Sequence, residues 1–151
     1  MILKPPDICQ RSTFYGVFPF GQGENHLGIV LNVKGLDVFC CYCTSKLHET
    51  LLKYNRLDCF PLKKEEMEPY FKNPKPSYIY ISDNHIIKVL YVTLVSQLSQ
   101  NELESKEPFN ADLFSELVAA LERSPNLSER FKAQLMEVIR GNNAGKTIFA
   151  I

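Results

Sequence analysis

The stretch His26-Leu27-Gly28-Ile29-Val30-Leu31-Asn32-Val33-Lys34-Gly35-Leu36-Asp37-Val38-Phe39-Cys40-Cys41-Tyr42-Cys43-Thr44-Ser45 decides the fold. Leu27 to Val33 is an apolar run of strand length. Lys34-Gly35 supplies a turn, and Leu36 to Cys43 is a second apolar run that ends in Thr44-Ser45. Upstream, Thr13-Phe14-Tyr15-Gly16-Val17-Phe18-Pro19-Phe20 is aromatic and β-rich, with Pro19 marking an edge or a strand end. Gly21-Gln22-Gly23-Glu24-Asn25 is the turn cluster between them. The connections are too short for helical crossovers, so these runs predict an antiparallel meander.

Beyond Ser45 the character changes. Leu47, Leu51, Leu52 and Tyr54 fit a short amphipathic helix. Lys63-Lys64-Glu65-Glu66-Met67-Glu68 is charged and ends at Pro69, and Pro74 and Pro76 close an irregular segment. Residues 46–77 therefore read as an insertion of helical turns between strands. Residues 46–76 carry seven Lys/Arg and five acids, a net of +2. Strand character returns at Tyr78-Ile79-Tyr80-Ile81, Asp83-Asn84 makes a turn, and Ile86 to Val95 predicts the last long strand.

After Ser99 the pattern is helical. Leu113, Phe114, Leu117, Val118 and Leu121 take helical spacing behind Asn110 as a cap. Ser124-Pro125 reads as an N-cap followed by proline at the first helical position. Leu127, Phe131, Leu135, Val138 and Ile139 line one face of that second helix, which Gly141 stops. Thr147 to Ile151 has the composition of a short terminal strand. Segregated strands and helices predict an α+β domain, and about five to six short strands with tight turns suit a small barrel or a strongly curved sheet. The expected domain spans 1–151, with the barrel at 12–99 and the C-terminal helices at 108–141.

At 151 residues, 45% hydrophobic and 23% charged, the chain has the material for a real core, which excludes wholesale disorder. Seventeen Lys/Arg balance seventeen Asp/Glu, which disfavours a protein that coats nucleic acid non-specifically while leaving a local basic patch open. No run approaches a membrane span, and Met1-Ile2-Leu3 followed by Lys4-Pro5-Pro6 is not a leader, so a cytoplasmic protein without membrane contact is expected. Five cysteines, three of them crowded into Cys40, Cys41 and Cys43, do not suit a secreted disulfide framework.

Several constellations invite a chemical reading. Gly141-Asn142-Asn143-Ala144-Gly145-Lys146-Thr147 is similar to a phosphate-binding loop, but its glycines stand one residue too close, so a polar tail is expected. On a strand, Cys41 and Cys43 share one face and Cys40 takes the other, which suits core packing better than a metal site, so no metal or cofactor is expected. His48 falls in the presumed helix and His85 in the Asp83-Asn84 turn. His26 stands at the mouth of a strand beside a glycine-rich loop that can expose it, although a lone histidine at a strand start is more often structural. Thr44 and Ser45 end a strand, where hydroxyls either bind a phosphate or cap the helix that follows.

The order Val17-Phe18-Pro19-Phe20, glycine-rich loop, His26-Leu27-Gly28-Ile29-Val30-Leu31-Asn32, then Asp37 to Thr44-Ser45 resembles the MazF/PemK-like toxin family. The resemblance covers residues 12–45 best and 78–123 more weakly. It implies an SH3-like barrel, usually a homodimer, that cleaves single-stranded RNA without a metal as the toxin of a toxin–antitoxin pair. In that family an arginine begins the second strand and a Thr or Ser ends the third. The arginine falls on His26 here and the Thr on Thr44, with Ser45 beside it. Arginine clamps a phosphate and stays charged, whereas histidine can act as general base or acid, so the change either rewires the chemistry or removes it. His26 and Thr44 are thus the expected catalytic pair, with Ser45, Lys46 and Arg11 as substrate-binding residues. The rival expectation is a catalytically silent barrel that binds protein, since residues 98–140 hold eight acids and five bases, a net of −3.

Overall fold

A computed structural model describes residues 8–19, 23–45 and 58–141. The expected helix at Leu47 to Tyr54, Lys46, His48 and the tail from Asn142 lie outside them. The described strands are β1 (Thr13–Gly16), β2 (His26–Lys34), β3 (Asp37–Thr44), β4 (Asp58–Leu62), β5 (Ser77–Ile81), β6 (Ile87–Leu90) and β7 (Glu104–Lys106). The described helices are α1 (Tyr91–Ser99), α2 (Ala111–Arg123) and α3 (Glu129–Arg140). The domain is α+β, as the segregated pattern predicts.

The strands join in the order β4-β5-β3-β2-β1-β7, and all pairings are antiparallel. β6 lies off this path and pairs with the first half of β3, while β5 pairs with its end. The sheet is not closed into a barrel; β4 and β7 stand at the two ends of its path. Its seven described strands exceed the expected five to six, and β7 extends the sheet past residue 99. β2 and β3 form its spine, with Lys34 opposite Asp37 across a two-residue turn. Gly35 takes φ 62° there, a conformation that costs glycine nothing.

These spine strands read as continuous apolar runs because both of their faces are covered. On one face Leu27, Ile29, Leu31, Cys41 and Cys43 pack with Ile79 and Ile81. On the other, Val30, Val38 and Cys40 pack with Phe14, Val89, Leu94 and Leu103. A bulge between Val30 and Asn32 inserts one residue into β2, so Val33 joins Val30 on the second face instead of Leu31 on the first. Gly28 lies opposite Phe14 and beneath its ring; a methyl there would overlap the ring carbons.

α2 and α3 cover the first face with Phe114, Leu117, Leu121, Leu135, Met136 and Ile139, and each such side chain contributes about 1.5–3 kcal/mol on burial. Asn32 ties the bulge to that lid, its amide donating to the carbonyls of Val138 (2.9 Å) and Ile139 (3.3 Å). α1 lies on the second face with Leu94 fully buried, between β6 and β7 in the chain.

Several expectations need correction. β1 ends at Gly16 rather than running to Phe20. The apolar run Ile86 to Val95 is not one strand: β6 stops at Leu90 and α1 begins at Tyr91, since α1 needs only one buried stripe through Leu94. The segment 58–77 is not purely helical turns, because Asp58–Leu62 pairs with β5 and only Lys64–Met67 coils, as a 3₁₀ turn. Ser124 caps the end of α2 instead of opening α3. Its hydroxyl accepts from Asn126 N in a turn, and Ser128 caps α3 by accepting from Phe131 N (3.3 Å). Asn110 caps α2 as expected, accepting from Asp112 N and Leu113 N.

Candidate functional site

At the end of the sheet where β2 begins and β3 ends, a cleft of about 460 Å³ opens. That volume lies in the range of small-ligand pockets, about 300–1,000 Å³. The strand register makes it. Leu27 pairs with Cys43, and His26 and Thr44, the next residue of each strand, both line the cleft. Gly16 pairs with His26 from the other side, and Tyr78 with Thr44. Leu27, Cys43 and Tyr15 form the apolar floor, and His26, Thr44 and Ser45 stand around the edge.

The wall comes from the segment between β4 and β5. The 3₁₀ turn buries Met67 completely, and the chain then returns past Phe71, Asn73 and Lys75 to Ser77, all of which line the cleft. Ser77 Oγ donates to the Lys75 carbonyl (3.1 Å), fixing the backbone that carries the ammonium group. The inserted segment therefore builds one side of the site.

His26 is held firmly. Its side chain is 13% exposed, its ring lies 4.8 Å from that of Tyr42, and Nδ1 donates to the Cys43 carbonyl (3.1 Å). A carbonyl can only accept, so Nδ1 carries the hydrogen and Nε2 is the basic nitrogen of the neutral ring. Nε2 is 3.9 Å from Glu24 Oε2, a carboxylate placed to pair with the ring once it takes up a proton. Burial, and then the nearby Tyr80, raise the Tyr42 phenol above its ordinary value, so Tyr42 stays protonated and neutral beside the imidazole.

His26, Thr44 and Ser45 are thus brought together. Arg11 is not among the residues lining the cleft. Its backbone N–H donates to the Val30 carbonyl, four residues or about 13 Å along β2 from His26, and its Nε donates to the Phe109 carbonyl (2.7 Å). His85 lies outside the cleft as well, with Nδ1 2.6 Å from Ser82 Oγ. Tyr15, Phe71 and Lys75 were not expected as site residues. The excess positive charge of residues 46–76 was the one sequence signal that pointed toward Lys75.

Cys41 and Cys43 share one core face and Cys40 the other, in the alternation expected of a strand. Burial pushes the Cys40 and Cys43 thiols up to about 12 and raises Cys41 well above the ordinary range, so none is a thiolate at neutral pH. Among the described residues no helix is long and apolar enough to cross a membrane. Compared with known protein families, curated proteins and solved structures, the chain matches none.

Proposed function

We propose that the protein is a metal-independent endoribonuclease on single-stranded RNA, of MazF/PemK-like type, working at the His26–Thr44 end of the sheet. The observation that carries this reading is the Nδ1 bond of His26 to the Cys43 carbonyl, which makes Nε2 the basic nitrogen of a ring lining a cleft with Thr44, Ser45 and Lys75. Nε2 takes the proton of a ribose 2′-OH, and the 2′-oxygen attacks the adjacent phosphorus. The bond to the 5′-oxygen breaks, and that oxygen takes a proton from solvent at the open mouth. The products are a 2′,3′-cyclic phosphate and a free 5′-OH. Glu24 stabilises the imidazolium, while the Lys75 ammonium and the Thr44 hydroxyl face the charge that develops on the phosphoryl oxygens. In this reading Lys75 supplies the cation that an arginine would supply at position 26.

An SH3-like ancestry of the sheet belongs to the same proposal. What supports it is that the second core gathers side chains from β1, β2, β3, β6 and α1. A homodimer, an antitoxin protein that covers the cleft and a cytoplasmic location complete the proposal. The test is cleavage of a mixed-sequence single-stranded RNA by the wild type beside His26→Ala and Thr44→Ala. Cleavage by the wild type that both substitutions reduce at least a hundredfold supports the assignment; equal activity in all three removes it.

A second reading has its own observation. Leu36, Leu90 and Val92 are 57%, 52% and 65% exposed, and Tyr91 N–H donates to the Leu36 carbonyl (2.7 Å), which draws them into one apolar patch. Such a patch favours a protein-binding module without catalysis. Folded protein that leaves RNA intact would select it.

A further inference from the structure

The cleft also holds an aromatic pair for which the proton-transfer scheme has no use. Tyr15 from β1 and Phe71 from the inserted segment meet edge to face, with ring centroids 5.2 Å apart and planes at 74°. Both side chains are half-buried rather than sealed in the core, and both line the cleft that His26 and Thr44 border. The Lys106 ammonium lies 5.8 Å from each ring centroid, held there by Glu104 at 3.3 Å. Lys75 lines the same cleft.

We propose that the Tyr15–Phe71 pair is a stacking subsite for one unpaired nucleobase, next to the scissile phosphate, with Lys106 and Lys75 drawing the flanking backbone. This deepens the ribonuclease reading and rests on it. The physical argument is that aromatic faces flanked by cations match a planar base on an anionic strand. A paired base keeps its faces stacked within the duplex, so a subsite of this kind selects single strands. Every base has a π-face, so stacking here tolerates sequence. Tyr15 is one residue from Gly16, the partner of His26, so a base held on this pair brings its own nucleotide up to the His26 rim.

The test uses the full chain and a fluorescent 2′-O-methyl oligonucleotide, which binds but lacks the 2′-OH needed for cleavage. Phe71→Leu keeps apolar bulk and removes the ring. It is expected to weaken binding about 5- to 150-fold, the range for losing one stacked base, and Phe71→Tyr to restore it. An oligonucleotide with an abasic position in the register of the subsite should bind wild type and Phe71→Leu alike. With cleavable RNA, Phe71→Leu should raise KM while kcat stays within about threefold. Wild-type binding with Phe71→Leu within twofold of it overturns the subsite and leaves the ribonuclease reading standing. No binding and no cleavage by folded wild type overturns both.

Discussion

Substituting Gly28 by alanine tests the packing that sets β1 against β2 next to the site. An added methyl would meet Cζ of Phe14 first and would stand 2.6 and 2.9 Å from Cε2 and Cε1. Carbon atoms settle at about 3.5–4.0 Å, so the ring or the strand must move by roughly 1 Å. The ring has little room to yield: Phe14 is 2% exposed and packed among Val30, Cys40 and Leu94. Overpacking of this kind costs about 1–3 kcal/mol. For a chain of this size each kcal/mol lowers Tm by about 2–4 °C, so Gly28→Ala should lose about 2–12 °C in a thermal melt followed by circular dichroism. Phe14→Leu alone should also destabilise, by leaving a void over Gly28. The double variant should be more stable than the sum of the two losses by about 1 kcal/mol, since the smaller side chain makes room for the methyl. A Gly28→Ala melt within a degree of wild type, or strict additivity in the double variant, would refute the reasoning.

Other outcomes follow from single contacts. Asn32→Ala removes the amide that binds the Val138 and Ile139 carbonyls and should cost about 1–3 kcal/mol in urea unfolding; a loss below about 0.5 kcal/mol would mean the α3 tie is unimportant. Asn110→Ala removes the acceptor for Asp112 N–H and Leu113 N–H and should cost about 1 kcal/mol, whereas Ser124→Ala should leave α3 intact because Ser128 caps it. Burial raises the Cys40 and Cys43 thiols from 9.0 to about 12 and Cys41 well above 9.0, so the folded chain keeps protons that the unfolded chain loses. This stabilisation is complete below about pH 9 and is lost as pH rises toward 12, by up to about 1.4 kcal/mol per unit for each thiol. Urea midpoints that hold steady from about pH 8 to pH 10.5 would contradict that.

The parts of the fold that were legible in the sequence are those governed by local chemistry. The β2–β3 hairpin declares itself through two apolar runs and a glycine turn, and Asn110 through its spacing before an amphipathic stripe. Ile86 to Val95 misleads because an apolar run of that length suits either a strand or a helix with one buried side, and only the second core decides between them. β4 is hidden by Pro61 and the charged residues that follow it, and β7 by being just Glu-Ser-Lys. Ser124-Pro125 offers good capping chemistry, yet Ser128, four residues nearer the helix, is the cap. In the candidate site, His26 and Thr44 are singled out by their places at strand ends and by the family resemblance. Tyr15, Phe71 and Lys75 are not, because they meet only after the inserted segment folds across the sheet.

The most direct measurement is the incubation of folded, full-length protein with a mixed-sequence single-stranded RNA in excess chelator, with the ends of any fragments identified. The account predicts fragments bearing 2′,3′-cyclic phosphate and 5′-OH ends, produced by the wild type and not by His26→Ala. RNA that stays intact, or fragments with other ends, or equal cleavage by His26→Ala, would contradict it.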